Sequence, residues 1–125
     1  MVAQRELSEA EVDRVFHALA TSTRRDILRR TIEGEQSVTA LASRYEMSFA
    51  AVQKHVAVLE AAELIIKRAE GRERLVRANP EMIARARALL SRYEDLWRSR
   101  ISRLDDLLAE DAPDSGSAPR GSSTP

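Results

Sequence analysis

The stretch Met47–Ile66, MSFAAVQKHVAVLEAAELII, contains the change of residue pattern that decides the fold. Ser48 can cap a helix that runs to about Ala62, because its side-chain oxygen can accept from a free N–H group of the first turn. The core face of this helix is predicted by apolar residues at spacings of four and three: Val52, Val56 and Leu59. The residues that follow, Leu64–Arg68, are typical of a strand, so a strand is expected directly after the helix.

A hairpin is predicted downstream of this helix. Arg74–Arg77 is a second β-rich run, and the segment Glu70–Glu73 between the two runs contains Gly71. Glycine adopts a positive φ at little cost, which suits a tight turn between antiparallel strands. We therefore expect two strands joined at this glycine.

Helix caps are visible upstream of the quoted stretch. Ser8 followed by Glu11 is a capping-box pattern, which predicts the start of a first helix. Thr21 is expected to cap a second helix that Gly34 ends, and Ser37 is expected to cap a short third helix. Three helices are therefore predicted before the one that begins at Ser48.

A long last helix is expected from Pro80, which suits a first helical turn because it has no N–H to satisfy. Its apolar residues recur every three or four positions over about 25 residues, a stripe too long for a small core to cover. The predicted order is α-α-α-α-β-β-α. This is a mainly α chain with a two-stranded β-wing, the winged helix–turn–helix plan.

Composition excludes several classes of function. The 125 residues suffice for one domain, and the absence of cysteine removes disulfides, thiolate metal sites and cysteine nucleophiles. The first seven residues lack the order of a secretory signal, and no apolar run could span a membrane, so a cytoplasmic location is expected. No glycine-rich phosphate loop or histidine–carboxylate pair indicates an enzyme.

The charge distribution is compatible with a nucleic-acid partner, although the net charge is zero. Residues 36–79 contain seven basic and five acidic side chains, whereas the region from Asp105 onward contains five acids and one base. A locally basic middle beside an acidic end fits DNA binding without establishing it.

The outward face of the predicted fourth helix is short and polar. Lys54 lies there with Gln53 on the flank, and the remaining positions are alanines, namely Ala50, Ala57 and Ala61. Small side chains let a helix approach a major groove closely, glutamine can pair with adenine, and lysine can reach guanine or a phosphate. Ser48 can also donate to a phosphate at the helix start. A plain solvent-exposed helix is the alternative interpretation.

His55 and the hairpin add two further candidate contacts. His55 lies beside the core face of its helix, where it is either a half-buried structural residue or a donor to a phosphate oxygen. Arg72 follows the turn glycine and can reach the DNA backbone or the minor groove. The alternative for the hairpin is a solvated charged surface, because Glu70 and Glu73 weaken its positive field.

Two segments resemble the signature stretches of ArsR-type repressors. ALATSTRRDIL at Ala18–Leu28 is similar to the family's A-L-A-D-P-T-R-R-x-I-L, and Met47–Glu60 is similar to its recognition helix, L-S-x-x-x-V-S-x-H-L-x-x-L. The segment Glu70–Val76 fits the family's wing pattern loosely. Gln53 replaces the usual serine, and Glu63 replaces the usual glycine, which carries a cost if that position has a positive φ.

The resemblance implies a sequence-specific transcriptional regulator, a repressor that binds double-stranded DNA at an inverted repeat and is released by an inducer. It implies a homodimer built from the first and last helices. The residues expected at the DNA are Arg44, Ser48, Phe49, Ala50, Gln53, Lys54, His55, Lys67, Arg68, Arg72 and Arg74. Those expected in the dimer interface are Val12, Val15, Phe16, Leu90, Tyr93, Trp97, Ile101 and Leu104.

The domain prediction assigns DNA binding and dimerisation to residues 1–110. Residues 111–125 contain three prolines, four serines and two glycines, and are predicted to be a disordered tail. Family members that sense metals use a Cys-x-Cys motif in the third helix or Asp/His pairs in the last. Neither pattern is present, so no metal site and no cofactor are expected.

A winged-helix protein-interaction module without sequence-specific DNA binding is the alternative function, because the same fold serves both purposes. Apolar residues on the outer surfaces of the fourth helix and the hairpin would favour a protein partner. Gln53, Lys54, Arg72 and Arg74 favour DNA instead.

Overall fold

The computed structural model describes residues 5–111, so the tail predicted at 111–125 lies outside the described residues apart from Asp111. The described residues divide into two compact units, residues 5–89 (unit 1) and residues 90–111 (unit 2). The elements are α1 Glu9–Ala18, α2 Ser22–Glu33, β1 Gln36–Ser37, α3 Val38–Ala42, α4 Phe49–Ala61, β2 Ile65–Glu70, β3 Glu73–Ala78 and α5 Pro80–Asp111. The winged helix–turn–helix order is confirmed, with β1 added to it.

Side-chain caps define where the helices start. At each of four starts a hydroxyl oxygen accepts from the backbone N–H three residues further on, at 2.9 to 3.2 Å: Ser8, Thr21, Ser37 and Ser48. The predicted capping box is complete, because the Ser8 N–H also donates to Glu11 at 2.8 Å. All four predicted helix starts are confirmed.

The sheet has three antiparallel strands in the order β1-β3-β2. The hairpin register runs from Ile65 opposite Ala78 to Glu70 opposite Glu73, which leaves a two-residue loop with Gly71 at φ +63°. The prediction of a two-stranded wing is therefore correct for the hairpin but incomplete for the sheet. β1 contributes only Gln36–Ser37, which is too short to show an alternating pattern in the sequence.

The core of unit 1 lies between the helices and the hairpin. The predicted core face of α4 is buried, and it packs with Ile27 of α2, Leu41 of α3 and Ile65 of β2. Val15 of α1 belongs to the same core and is only 2% exposed. Its prediction as a dimer contact is wrong, because this side chain is enclosed within its own protomer.

The junction between α4 and β2 adopts a Schellman turn. Glu63 has φ +61°, its N–H donates to Glu60 O at 2.8 Å, and the Leu64 N–H donates to Leu59 O at 3.1 Å. These two bonds satisfy carbonyls at the helix end and reverse the chain into the strand. Glu63 therefore has the positive φ at which a residue other than glycine carries a conformational cost.

Helix α5 begins at Pro80, as predicted, and Asn79 caps it by accepting from the Glu81 N–H at 3.2 Å. Within unit 2, its apolar side chains are exposed rather than packed in a core: Leu90, Tyr93, Leu96, Trp97, Ile101, Leu104, Leu107 and Leu108. Among residues 5–111, no helix is both long and apolar enough to cross a membrane.

Candidate nucleic-acid interface

The outer face of α4, defined as Ala50, Gln53, Lys54, Ala57 and Ala61, is exposed along its whole length. The opposite face is buried in the core, so the helix has only this side to offer to a partner. Three of the five side chains are methyl groups, and the backbone can therefore come close to a large ligand. Phe49 lies at the helix start and is also exposed.

Arg24 of α2 holds the end of α1 and contacts α4. Its side chain is only 7% exposed, and it donates to Ala18 O and to His17 O at 2.8 Å each. These carbonyls belong to the last turn of α1, where the helix dipole is negative and the acceptors lack helical partners. Arg25 makes a similar bond to Leu19 O at 2.8 Å. The buried charge is thus stabilised by a helix end.

The same guanidinium fixes the protonation of His55. Arg24 Nη1 lies 3.1 Å from His55 Nδ1, and a guanidinium can only donate, so Nδ1 accepts and the ring proton is assigned to Nε2. Burial lowers the pKa of His55 below its usual 6.5, and the positive charge of Arg24 lowers it further. His55 is therefore a neutral imidazole at neutral pH with an N–H donor at Nε2.

The hairpin of β2 and β3, here called the wing, contains basic side chains of two kinds. Arg68 makes two bonds of 3.0 Å to Glu35 and one contact of 3.1 Å to Glu70, and Lys67 lies 3.4 Å from Glu60. These two cations form ion pairs within the chain, although Lys67 is partly exposed and Arg68 is exposed. Both were predicted at the DNA, and the structure shows each of them paired with a carboxylate of the same chain.

The remaining predicted cations are free of such pairs. Within residues 5–110, no carboxylate lies at ion-pair distance from Arg44, Lys54, Arg72 or Arg74, and all four are exposed. Arg74 is opposite Ala69, on the strand face that further along contains the buried Ile65 and Val76. Arg72 lies in the turn, and Arg44 lies between α3 and α4. Among the cations predicted at the DNA, the unpaired ones are therefore on the wing, on α4 and on the turn before it.

Comparison with known proteins identifies the family of this chain. Residues 19–68 match the model of a helix-turn-helix domain. The chain is 32% identical over 102 residues to the HTH-type transcriptional regulator Rv2034 of Mycobacterium tuberculosis, covering 82% of this chain and 92% of the relative. This chain belongs to the ArsR family of winged helix–turn–helix transcriptional regulators. It is a DNA-binding regulator.

Solved structures agree with this ArsR-family assignment. An ArsR-like transcriptional regulator from Rhodococcus sp. RHA1 superposes with a TM-score of 0.69 at 32% identity, covering 78% of this chain and 92% of that one. The homodimeric winged helix–turn–helix DNA-binding domain Mb0332 of Mycobacterium bovis superposes with a TM-score of 0.57 at 31% identity, covering 76% and 91%.

The ArsR-family regulator also contains a polar cluster that the sequence analysis missed. Asp26 of α2 accepts from the Tyr45 hydroxyl at 2.6 Å, from Arg29 at 2.6 Å and from Arg30 at 2.9 Å. The Tyr45 bond, followed by those of the arginines, holds the pKa of Asp26 well below its usual range. Burial and the Asp26 carboxylate raise the pKa of Tyr45. The cluster fastens α2 to the turn before α4.

Within the described part of the chain, no group of three or more histidine, aspartate or glutamate side chains is placed to hold a metal ion.

The predicted dimer residues differ in burial. Val15 is enclosed, Val12 is partly buried, Phe16 is 48% exposed, and the five residues predicted on α5 are exposed.

Proposed function

We propose that this regulator is a homodimeric repressor that binds an inverted-repeat operator with one α4 helix of each protomer in successive major grooves. The grooves that two such helices enter lie roughly 34 Å apart on one side of the duplex. The observation that carries the proposal is the outer face of α4, which is exposed, short and polar, together with unpaired cations on the wing. A surface of this kind suits a duplex better than an apolar protein partner.

Each side chain has a role that its chemistry supports. Gln53 reads adenine through paired hydrogen bonds, and Lys54 reaches guanine or a phosphate. His55 donates from Nε2 to a phosphate oxygen, because Arg24 occupies its other nitrogen. The contacts expected to position the protein on the DNA backbone come from the side chains of Arg44, Ser48, Arg72 and Arg74 and from the backbone N–H groups of Phe49 and Ala50 in the first turn of α4. Lys67 and Arg68 are assigned to holding the wing.

The dimer is proposed from the exposed stripe of α5. Trp97 is 59% exposed, and the other large apolar side chains of unit 2 are exposed with it. A helical stripe of this length needs a partner surface, and the relative Mb0332 is homodimeric. The proposed interface consists of Val12, Phe16, Leu90, Tyr93, Trp97, Ile101 and Leu104. Val15 is left out because it is buried.

The remaining parts of the proposal concern location and control. We place the regulator in the cytoplasm, without catalytic activity, and with DNA affinity lowered by an inducer. The relatives and family structures found by comparison are transcriptional regulators, which supports a role in binding rather than catalysis.

The test is selection of bound fragments from genomic DNA by the purified full chain at moderate ionic strength. We expect enrichment of a few fragments that share an inverted repeat with half-sites about one helical turn apart. Fragments enriched without a shared repeat would contradict the dimeric operator. The absence of any preference over random DNA would contradict sequence-specific binding altogether and favour a protein-interaction module.

A further inference from the structure

A surface cleft in unit 1 combines apolar walls with two unpaired arginines. It has a volume of about 480 Å³ and lies where the end of α2, the end of β3 and the first turns of α5 meet. Its lining residues are Thr31, Ile32, Arg77, Ala78, Pro80, Ile83, Ala84 and Arg87. The volume is in the range typical of sites for small ligands.

The walls of the cleft offer few hydrogen bonds of their own. The Thr31 hydroxyl already donates to Leu28 O at 2.7 Å, and Pro80 has no backbone N–H. Ile32 is 58% exposed although it is a large aliphatic residue. An apolar group that covered Ile32 and Ile83, which both line the cleft, would remove this surface from water.

The charges around the cleft are unbalanced. The acids nearest in sequence to its walls are already paired, Glu33 with Arg29 at 3.0 Å, Glu35 with Arg68 at 3.0 Å and Glu81 with Arg85 at 3.7 Å. In the chain from residue 5 to residue 110, no carboxylate lies at ion-pair distance from the two arginines that line the cleft, Arg77 and Arg87.

We propose that this cleft binds a small organic acid with an apolar body, its carboxylate held by Arg77 and Arg87. A guanidinium matches a carboxylate in charge and in geometry. A purely polar anion would leave the apolar walls in contact with water. A neutral apolar molecule would leave Arg87 without a counter-charge and Arg77 with only the field of Glu35, a carboxylate already paired with Arg68. An amphipathic carboxylate satisfies both requirements.

Octanoate is a suitable probe, titrated into the ¹⁵N-labelled full chain without DNA. We expect saturable shifts of the amide signals of Ala78, Ile83 and Ala84. Octan-1-ol, which has the chain without the charge, and acetate, which has the charge without the chain, should each bind at least about tenfold more weakly. Equal affinity for octan-1-ol, shifts confined to residues 90–110, or no saturable shift would each overturn the site.

Variants test the arginines directly. Arg87→Ala is expected to weaken octanoate binding about tenfold, because it removes a charged hydrogen bond at an exposed position that the fold does not need. Arg77→Ala provides a second, independent variant on β3. Arg98→Ala removes an exposed arginine of unit 2 and serves as the matched control. Octanoate affinity that is unchanged in both cleft variants would overturn the proposal.

The position of the cleft makes it the candidate site of the inducer, and this role rests on the proposed function. Arg77 and Ala78 belong to β3, the strand that also contains Arg74 of the wing. Octanoate should therefore lower the affinity of the full chain for its operator, and Arg87→Ala should need about tenfold more octanoate for the same effect. Unchanged operator affinity despite octanoate binding would overturn the role as effector. Failure to bind DNA at all would contradict the proposed function and leave the octanoate titration valid.

Discussion

His55 and Arg24 share one contact, 3.1 Å between Nδ1 and a guanidinium nitrogen, on which the protonation of the histidine depends. The unfolded chain binds a proton on His55 near its ordinary pKa of 6.5, whereas burial and Arg24 lower the pKa in the folded chain. As the pH falls below 6.5, the unfolded state gains this proton first, so the free energy of unfolding decreases. The stabilising contribution is complete above that pH.

Urea unfolding measured between about pH 7.5 and 5.5 should show this decrease. His55→Gln removes the titrating group and is expected to flatten the dependence, while His17→Gln, at an exposed position on α1, should retain it. An identical pH dependence in His55→Gln and the parent chain would show that burial and the Arg24 contact do not perturb the pKa of this residue.

Glu63 is the second residue whose behaviour follows from local geometry. A side chain at φ +61° costs about 1 to 2 kcal/mol, and glycine avoids this cost but loses more entropy on folding. We expect Glu63→Gly to raise the free energy of unfolding by up to about 1 kcal/mol, which is a few degrees in Tm. Glu63→Ala keeps the backbone penalty and should not gain this stability. A Glu63→Gly chain that melts lower than Glu63→Ala would contradict the account of the turn.

At the scale of elements, Tyr45 connects α2 to the turn before α4 through its 2.6 Å bond to Asp26. Tyr45→Phe is expected to destabilise the fold by about 1 kcal/mol at neutral pH, measured by thermal unfolding. The destabilisation should shrink as the pH falls below the ordinary aspartate pKa of 3.8. The Tyr45 bond lowers the pKa of Asp26 because it favours the charged carboxylate, and its contribution to stability is lost as that carboxylate is protonated. Ser22→Ala, which removes an exposed hydroxyl from the same helix α2 and lies outside both proposed interfaces, is the control. Equal melting temperatures for all three proteins would show that the Tyr45–Asp26 bond contributes nothing.

The elements also show which parts of the structure the sequence could predict. Helix starts at Ser8, Thr21, Ser37 and Ser48 were predictable because a cap bonds to a backbone group three residues away. The same holds for the turn at Gly71, since its conformation is a local property. The strand β1 was missed because two residues have no periodicity, and its pairing with β3 depends on the folded sheet.

The candidate site was predictable in its residue types but not in their partners. Helical spacing placed Gln53 and Lys54 on an exposed face correctly. The contact between Arg24 and His55 joins residues 31 positions apart, and that between Glu35 and Arg68 joins residues 33 apart, so no local pattern reveals them. For this reason the sequence could not separate basic residues held within the chain from those free to meet a ligand.

At the scale of the whole molecule, the account requires two copies of the chain. Trp97 is the largest exposed side chain of the stripe on α5, and aromatic residues often dominate such interfaces. Trp97→Ala should weaken the dimer at least about tenfold, seen by sedimentation equilibrium, while Arg98→Ala on the same helix should not. A Trp97→Ala protein that remains fully dimeric at micromolar concentration would contradict the assignment of this residue to the interface.

The central claim is that the outer face of α4 and the wing contact the duplex. The most direct measurement is the affinity of Lys54→Ala and Arg72→Ala for a selected genomic fragment across a range of salt concentrations, with Arg98→Ala as the charge-matched control. The account predicts weaker binding in both variants, and a salt dependence reduced by about one counterion for each phosphate that the variant no longer neutralises, with the control unchanged. Affinities and salt dependences equal to those of the parent chain in both variants would contradict it.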